Sequence, residues 1–223
     1  MTKLEFLQTS AIFADVPTLE LEAISRRMFE KKLPRAEMVL SQGDETSTLF
    51  FVAEGVVKLF KTSIDGKEQV ISLVRPGELF NVVPICDDGP TPMDAQALGA
   101  VTLYGITRDD LDLILRNYPK LARNISRLLA QRIRSLISLV EDLSFRSVTS
   151  RVARILLENL SEPSSLPAIR LTQREMAALA GTAREVVARS LKELESTGMI
   201  EIRLHQVAIR NKKGLEQIVE WGL

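Results

Sequence analysis

From Ala122 onward the chain carries one apolar residue at each successive helical turn. These are Ile125, Leu129, Ile133, Leu136, Val140 and Leu143, at spacings of 4, 4, 3, 4 and 3. The repeat is close to the 3.5 residues of a coiled-coil seam, with Arg123, Arg127, Arg132 and Arg134 on its flanks, and it predicts one long helix. So narrow a stripe could pack on a neighbouring domain of the same chain. A helix of about 25 residues rarely buries every turn inside so small a domain, which favours a homodimer seam. Ser144-Phe145-Arg146-Ser147-Val148 then breaks the stripe and reads as a hinge, with Ser147 as N-cap of the next helix.

The residues on either side of this helix differ in kind. Between Leu33 and Tyr104, short apolar runs (Met38-Val-Leu, Leu49-Phe-Phe-Val, Val56-Val-Lys-Leu-Phe, Val70-Ile-Ser-Leu-Val, Val101-Thr-Leu-Tyr) alternate with turn residues. Glycines fall at 43, 55, 66 and 77, spacings of 12, 11 and 11. Short strands punctuated in this way predict a β-sandwich or barrel. Asp65-Gly66 is a hairpin turn between two of them, because glycine tolerates the positive φ required there. Residues 2–31 read as short helices covering one end. Thr107-x-x-Asp110 resembles a capping box that opens a helix through Leu111, Ile114 and Leu115, and Tyr118-Pro119 interrupts it. The expected fold class is α+β: a β-roll domain over 1–107, a dimerisation helix and hinge over 108–144, and a C-terminal domain over 145–223.

That C-terminal part carries the most informative pattern. Val148 to Leu160 is an amphipathic helix, followed by the turn-rich Ser161-Glu-Pro-Ser-Ser-Leu-Pro. Thr172 with Glu175 forms a capping box, and Met176, Ala177, Leu179 and Ala180 give that helix an apolar face. Gly181 ends it. Thr182 is expected to N-cap a second helix with Glu185 at the reciprocal position, burying Val186, Val187, Leu191 and Leu194. Helix, glycine turn, helix is a helix-turn-helix, and the alternation from Met199 to Arg210 suggests a β-hairpin wing. Arg184, Glu185 and Arg189 lie exposed at the start of the second helix. Positions 185 and 189 share a face and would elsewhere be read as a solvated surface pair. On a helix in this position, arginine suits guanine O6 and N7, and glutamate accepts from cytosine N4.

Composition narrows the field. One cysteine and one histidine exclude an intramolecular disulfide, a four-cysteine zinc or iron–sulfur site and a His-rich metal site. No apolar run approaches membrane-spanning length and Met1-Thr-Lys-Leu-Glu-Phe lacks a signal-peptide pattern, so a cytoplasmic location is expected. Basic and acidic residues number 29 each, a balance that at first argues against a nucleic-acid partner. The average conceals an asymmetry: residues 1–144 hold 17 basic and 20 acidic residues, residues 145–223 hold 12 and 9. The basic excess lies with the helix-turn-helix. Asp87-Asp88 and Asp109-Asp110 are adjacent carboxylates whose side chains diverge, and no phosphate loop or nucleophile motif accompanies them, so no enzyme is expected.

The chain resembles a transcription regulator of the cyclic-AMP receptor protein/fumarate-nitrate regulator superfamily over nearly its whole length. Leu171 to Leu194, with Gly181 and Arg184-Glu185-x3-Arg189, is the strongest part of the match. Gly43-Asp44, Gly55-x-Val57, Pro76-Gly77-Glu78-Leu79-Phe80 and the long helix with Phe145 support it. The resemblance implies a cyclic-nucleotide-binding-like β-roll, a long dimerisation helix and a winged helix-turn-helix. It implies base reading of a palindromic TGTGA-like site by Arg184, Glu185 and Arg189, and phosphate contacts from Thr172, Arg174 and Thr182. Its implied partners are double-stranded DNA, a second copy of the chain, RNA polymerase and a small-molecule effector, with no membrane. The loop from Leu160 to Ile169 looks shorter than the polymerase-contacting loop of the cyclic-AMP-responsive activator, so that contact does not carry over.

The same resemblance places an effector pocket around Gly77, Glu78, Leu79, Phe80, Val82, Pro92, Met93, Leu136 and Ile137. Cyclic-nucleotide members use a glutamate where this chain has Val82, an Arg-Ser pair at Pro92-Met93 and a polar pair at Leu136-Ile137. A cyclic phosphate wants a guanidinium and a hydroxyl, and a ribose wants a carboxylate; every one of these anchors is missing. Cyclic AMP and cyclic GMP are therefore disfavoured. An iron–sulfur cluster is disfavoured because residues 1–30 lack cysteine, and Cys/His-ligated haem because the ligand positions read Asn81 and Val83. His205 lies in the expected wing. Cys86, flanked by Asp87 and Asp88, reads as a packing residue. Allosteric control by an unidentified effector and constitutive DNA binding with a degenerate sensor both remain open.

Overall fold

The computed structural model describes residues 1–160, 171–203 and 206–221; residues 161–170, where the sequence suggests turns, and His205 lie outside these. The chain divides into two units, Met1–Lys61 with Ser72–Arg134, and Thr62–Ile71 with Ser135–Leu223.

The first unit opens with α1 (Lys3–Thr9), a 3-10 turn (Ala11–Phe13) and α2 (Thr18–Arg27). The strands follow: β1 (Phe29–Leu33), β2 (Met38–Leu40), β3 (Thr48–Glu54), β4 (Val57–Thr62), β5 (Glu68–Val74) and β6 (Leu79–Phe80). A short helix α3 (Val82–Asp87) separates these from β7 (Asp94–Ala97) and β8 (Val101–Thr107). One sheet runs β1-β8-β3-β6 and the other β2-β7-β4-β5. Alternate residues of β3 explain its unbroken apolar run. Phe50 and Val52 enter the roll's interior with Val57, Val74, Phe80 and Leu103, while Leu49, Phe51 and Ala53 pack against Phe6, Phe13, Ile24 and Leu111 of the helical cap. A strand covered on both faces has no solvent side to make polar. The four ladder glycines, 43, 55, 66 and 77, all have positive φ, between 75° and 91°. At Arg75-Pro76-Gly77-Glu78 the φ of +87° and the Glu78 N–H bond to the Arg75 carbonyl at 3.0 Å give a type II turn.

Two expectations change here. Residues 29–31 are strand, not helix: β1 pairs with β8 in the register Phe29↔Gly105, and the Phe29 ring lies where a Cβ on Gly105 would stand. A lone Phe in a charged stretch shows its partner only across the sheet. The seam also divides. Helix α4 (Arg108–Asn117), capped by Thr107, leads into the 27-residue α5 (Pro119–Phe145). Ile125, only 8% exposed, belongs to the first unit's own core, and Leu129 packs against that core. Ile133, Leu136, Val140 and Leu143 stay exposed, Val140 by 63%. The expected dimer seam thus loses Ile125 to the first unit's interior.

The second unit is built on α6 (Val148–Leu160), α7 (Gln173–Ala180), α8 (Arg184–Ser196), the antiparallel pair β9 (Ile200–Arg203) and β10 (Gln206–Ile209), and α9 (Lys212–Trp221). Val152, Leu156, Met176, Ala180, Val187, Leu191, Leu194, Ile200 and Leu215 form its core. The N-cap of α6 is Ser147, whose hydroxyl accepts the Ser150 N–H at 3.1 Å. Just before it, the end of α5 is tied down. Asp142 lies 2.8 Å from Arg146 and 2.9 Å from Arg154, and Arg151 donates to the carbonyls of Asp142, Leu143 and Arg146.

Candidate nucleic-acid interface

The helix-turn-helix is held by its own backbone. The Thr172 hydroxyl accepts the Glu175 N–H at 3.2 Å while the Glu175 carboxylate accepts the Thr172 N–H at 2.5 Å, so α7 opens on a complete capping box. It closes at Gly181, φ +62°, with the Thr182 N–H reaching back to the Ala177 carbonyl at 3.0 Å. This is a Schellman closure, and the left-handed residue it needs is the reason for glycine. A Cβ on Gly181 would also stand 2.6 Å from Leu143 Cδ2 and 2.7 Å from Gln69 Oε1, both in the same unit.

This closure moves the cap of α8. Thr182 is committed to ending α7, so the N-cap is the extended Ala183, with no side-chain capping bond; the expected Thr182 cap is not formed. The first turn of α8 therefore keeps unsatisfied N–H groups at the end carrying its positive dipole, which suits an anionic surface.

Arg184 and Glu185 are the first two residues of α8 and Arg189 follows one turn later, all exposed, while Val187, Ser190, Leu191 and Leu194 are buried on the opposite side. Among the described residues none forms a hydrogen bond or ion pair with the side chain of Arg184, Glu185 or Arg189, so the surface pair expected of Glu185 and Arg189 in isolation is not made. Their polar heads are free to read base edges. Thr172 is exposed, Thr182 is half-buried, and Arg174 lies 3.7 Å from Glu68 of the Thr62–Ile71 segment. An exposed pair at that distance is worth little and leaves Arg174 available to a phosphate. On the wing, Glu201 binds both Arg203 and Arg210, which holds its carboxyl below the usual range. Sequence reasoning had not singled out this cluster, whose one signal was a charge pattern across a hairpin.

Most of the residues expected to line an effector pocket belong to the first unit. Leu79, Phe80 and Val82 are buried core residues, and Phe80 stacks on Phe50 at 5.4 Å. Gly77 is exposed, Pro92 and Met93 are half-buried, and the Glu78 carboxylate accepts the Arg75 N–H at 2.7 Å. In the other unit Leu136 and Ile137 are exposed. Cys86 is exposed on α3, where desolvation and Asp87 push its thiol pKa up against the opposing pull of Arg108. Among the described residues no cluster of His, Cys, Asp and Glu could hold a metal, and no helix is long and apolar enough to cross a membrane.

Comparison with known proteins agrees with this layout. Residues 30–118 match the cyclic nucleotide-binding domain family and residues 150–218 the Crp-like helix-turn-helix domain family. The chain is 34% identical over 200 residues to the cyclic AMP receptor protein of Thermus thermophilus, covering 90% of each chain. It is 28% identical to a CRP-like cAMP-activated global transcriptional regulator of Mycobacterium tuberculosis, covering 95% of this chain and 97% of that one. Among solved structures, the c-di-GMP-responsive global regulator CLP of Xanthomonas campestris shares the fold at 22% identity with a TM-score of 0.75, over 86% of this chain and 99% of that one. A cyclic-nucleotide-binding β-roll, a long helix and a Crp-like reader in one chain, matched over nine-tenths of its length at this identity, place the protein in the cyclic-AMP receptor protein/fumarate-nitrate regulator family of DNA-binding transcription regulators.

Proposed function

We propose that the protein works in the cytoplasm, without catalysing a reaction, as a homodimer that reads a palindromic, TGTGA-like site in successive major grooves. Arg184 and Arg189 read guanines, Glu185 reads cytosine, and Thr172, Arg174 and Thr182 set the register on phosphates. The observation that carries this is the unpartnered Arg184, Glu185 and Arg189 on the outer side of a helix whose inner side is fully packed. The exposed Ile133, Leu136, Val140 and Leu143 of α5 support a second copy as the occupant of that face. Two such copies must set their α8 helices about 34–36 Å apart to enter successive grooves. RNA polymerase is the proposed protein partner once DNA is bound.

Control is assigned to the β-roll, by an effector other than a cyclic nucleotide. The relatives above are named for cyclic AMP, but this chain has Val82, Pro92-Met93 and Leu136-Ile137 where polar anchors would be needed. A second reading, DNA binding with no effector, is favoured by the bonding of Arg132 described next. The test of the DNA reading is selection of bound duplexes from a random pool, then titration of Arg189→Ala on the selected site. The variant should bind about 5- to 150-fold more weakly, from the 1–3 kcal/mol of a bidentate base contact, and lose discrimination at one base pair. Equal affinity of variant and parent would refute it.

A further inference from the structure

An effector that couples a roll to a long helix has to bond both at once. In this chain α5 makes the bond itself. Arg132, on the flank of the stripe, has a side chain only 27% exposed and directed at the roll. Its Nη1 donates to the Ser72 hydroxyl on β5 at 2.6 Å and its Nη2 to the Leu79 carbonyl on β6 at 3.3 Å, with the Glu78 carboxylate 3.9 Å away. The planar guanidinium has five donors in a fixed fork and spans acceptors on separate strands from two nitrogens, where a lysine ammonium has three donors on a single nitrogen. The acceptors lie in and beside Gly77–Phe80, the stretch expected to hold an effector. The positions expected to anchor a cyclic nucleotide are apolar, Val82, Pro92, Met93, Leu136 and Ile137.

We infer that Arg132 takes the effector's place: bonded to Ser72 and Leu79, with the Glu78 carboxylate nearby, it joins β5 and β6 to α5 and holds the regulator competent for DNA without a ligand. The inference rests on the DNA-binding reading above. It gives the absent polar anchors a physical reason, since a site bridged from within the chain has no need of them. Phe80 fills the roll's interior instead, and Val82 packs into the core under the helical cap.

The experiment uses the full chain, dialysed free of small molecules, with fluorescence anisotropy on the selected duplex. The parent should bind with no added ligand, and saturating cyclic AMP or cyclic GMP should leave its Kd within about twofold, under 0.5 kcal/mol. Arg132→Ala should weaken DNA binding about tenfold, 1.4 kcal/mol. Ser72→Ala, losing one hydrogen bond, should weaken it roughly threefold, and Arg132→Lys should fall between parent and Arg132→Ala. The dimer dissociation constant measured by sedimentation should not move, which separates loss of coupling from loss of assembly. Parent-like binding by Arg132→Ala, or a parent that binds only after a ligand is added, overturns the inference and leaves the DNA reading standing. If Arg132→Ala does not fold, Ser72→Ala and Arg132→Lys decide the matter. Folded parent and variants that all fail to bind any selected duplex would refute the DNA reading itself, and this inference with it.

Discussion

Asp142 offers the sharpest test of how the end of α5 is held. Its side chain is 11% exposed and lies between Arg146, at 2.8 Å, and Arg154, at 2.9 Å, whose side chains are 18% and 25% exposed. The Arg146 Nε to Asp142 Oδ1 approach is close without the alignment of a hydrogen bond, so its contribution is Coulombic. Replacing Asp142 with Ala leaves two guanidiniums in a poorly solvated site. Removing one partner of such a pair costs about 3–5 kcal/mol. Arg146 keeps the Val219 carbonyl and, at 3.6 Å, Glu141, which argues for the lower end, about 3 kcal/mol. For a unit of this size that lowers Tm by roughly 12 °C or more. The assay is urea and thermal unfolding followed by fluorescence of the single tryptophan, Trp221, in α9 of the same unit. Arg154→Ala should cost less, because Asp142 retains Arg146, and the double variant Asp142→Ala/Arg154→Ala should fall short of the sum by about 1–2 kcal/mol. A buried pair is weakly screened, so the loss should persist in high salt. A Tm for Asp142→Ala within about 2 °C of the parent, or full additivity, would show these charges to be solvated and the argument wrong.

Three further outcomes are expected. Gly181→Ala imposes positive φ on an L-residue and presses a Cβ against Leu143 and Gln69, so it should destabilise by about 1–2 kcal/mol in urea unfolding. The ends of those flexible side chains can move, so the φ sets most of the cost. Val82→Glu, which restores the residue cyclic-nucleotide members use, should lower stability by about 2 kcal/mol or more without conferring calorimetrically detectable cyclic-AMP binding, because Val82 is buried among apolar side chains. The Cys86 thiol has its pKa raised, so less of it is thiolate at neutral pH and alkylation by iodoacetamide should be slow there and still rising beyond the ordinary thiol value of 9.0. Asp87→Asn removes a charge that raises that pKa and should speed the reaction at pH 7–8.

What was legible in the sequence was what is local. Thr172, Glu175 and Gly181 place α7 because a capping box and a left-handed glycine act within a few residues of themselves, and the ladder glycines mark turns for the same reason. The Thr182 cap failed by a single residue because two local rules competed for it. The Schellman bond that ends one helix used the residue that would have started the next. Strand β1 was missed because the partner of Phe29 is Gly105, far along the chain. The exposed face of α8 was legible because exposure of Arg184, Glu185 and Arg189 follows from the helical period once Val187 and Leu191 are fixed inside. In the stretch expected to hold an effector the sequence showed only an absence of polar anchors; the bond from Arg132 to Ser72 needs the three-dimensional contact.

Helix α5 shows why periodicity alone could not complete the reading. A 3.5-residue stripe reports which side of a helix is apolar and says nothing about what covers it. Along one continuous helix the cover changes. Ile125 and Leu129 belong to the first unit's own core, Arg132 bonds the roll, Ile133, Leu136, Val140 and Leu143 are exposed, and Asp142 is clamped beside α6. The residues that change the helix's role, Arg132 and Asp142, are both charged and both lie off the stripe. An unbroken helix transmits displacement along its axis because its backbone bonds are made within it. Whatever state Arg132 imposes at the middle of α5 must therefore pass the exposed apolar residues before it reaches the Asp142 clamp. Coupling through α5 then requires both charged anchors to hold, and loosening either should weaken DNA binding while Arg184, Glu185 and Arg189 remain untouched.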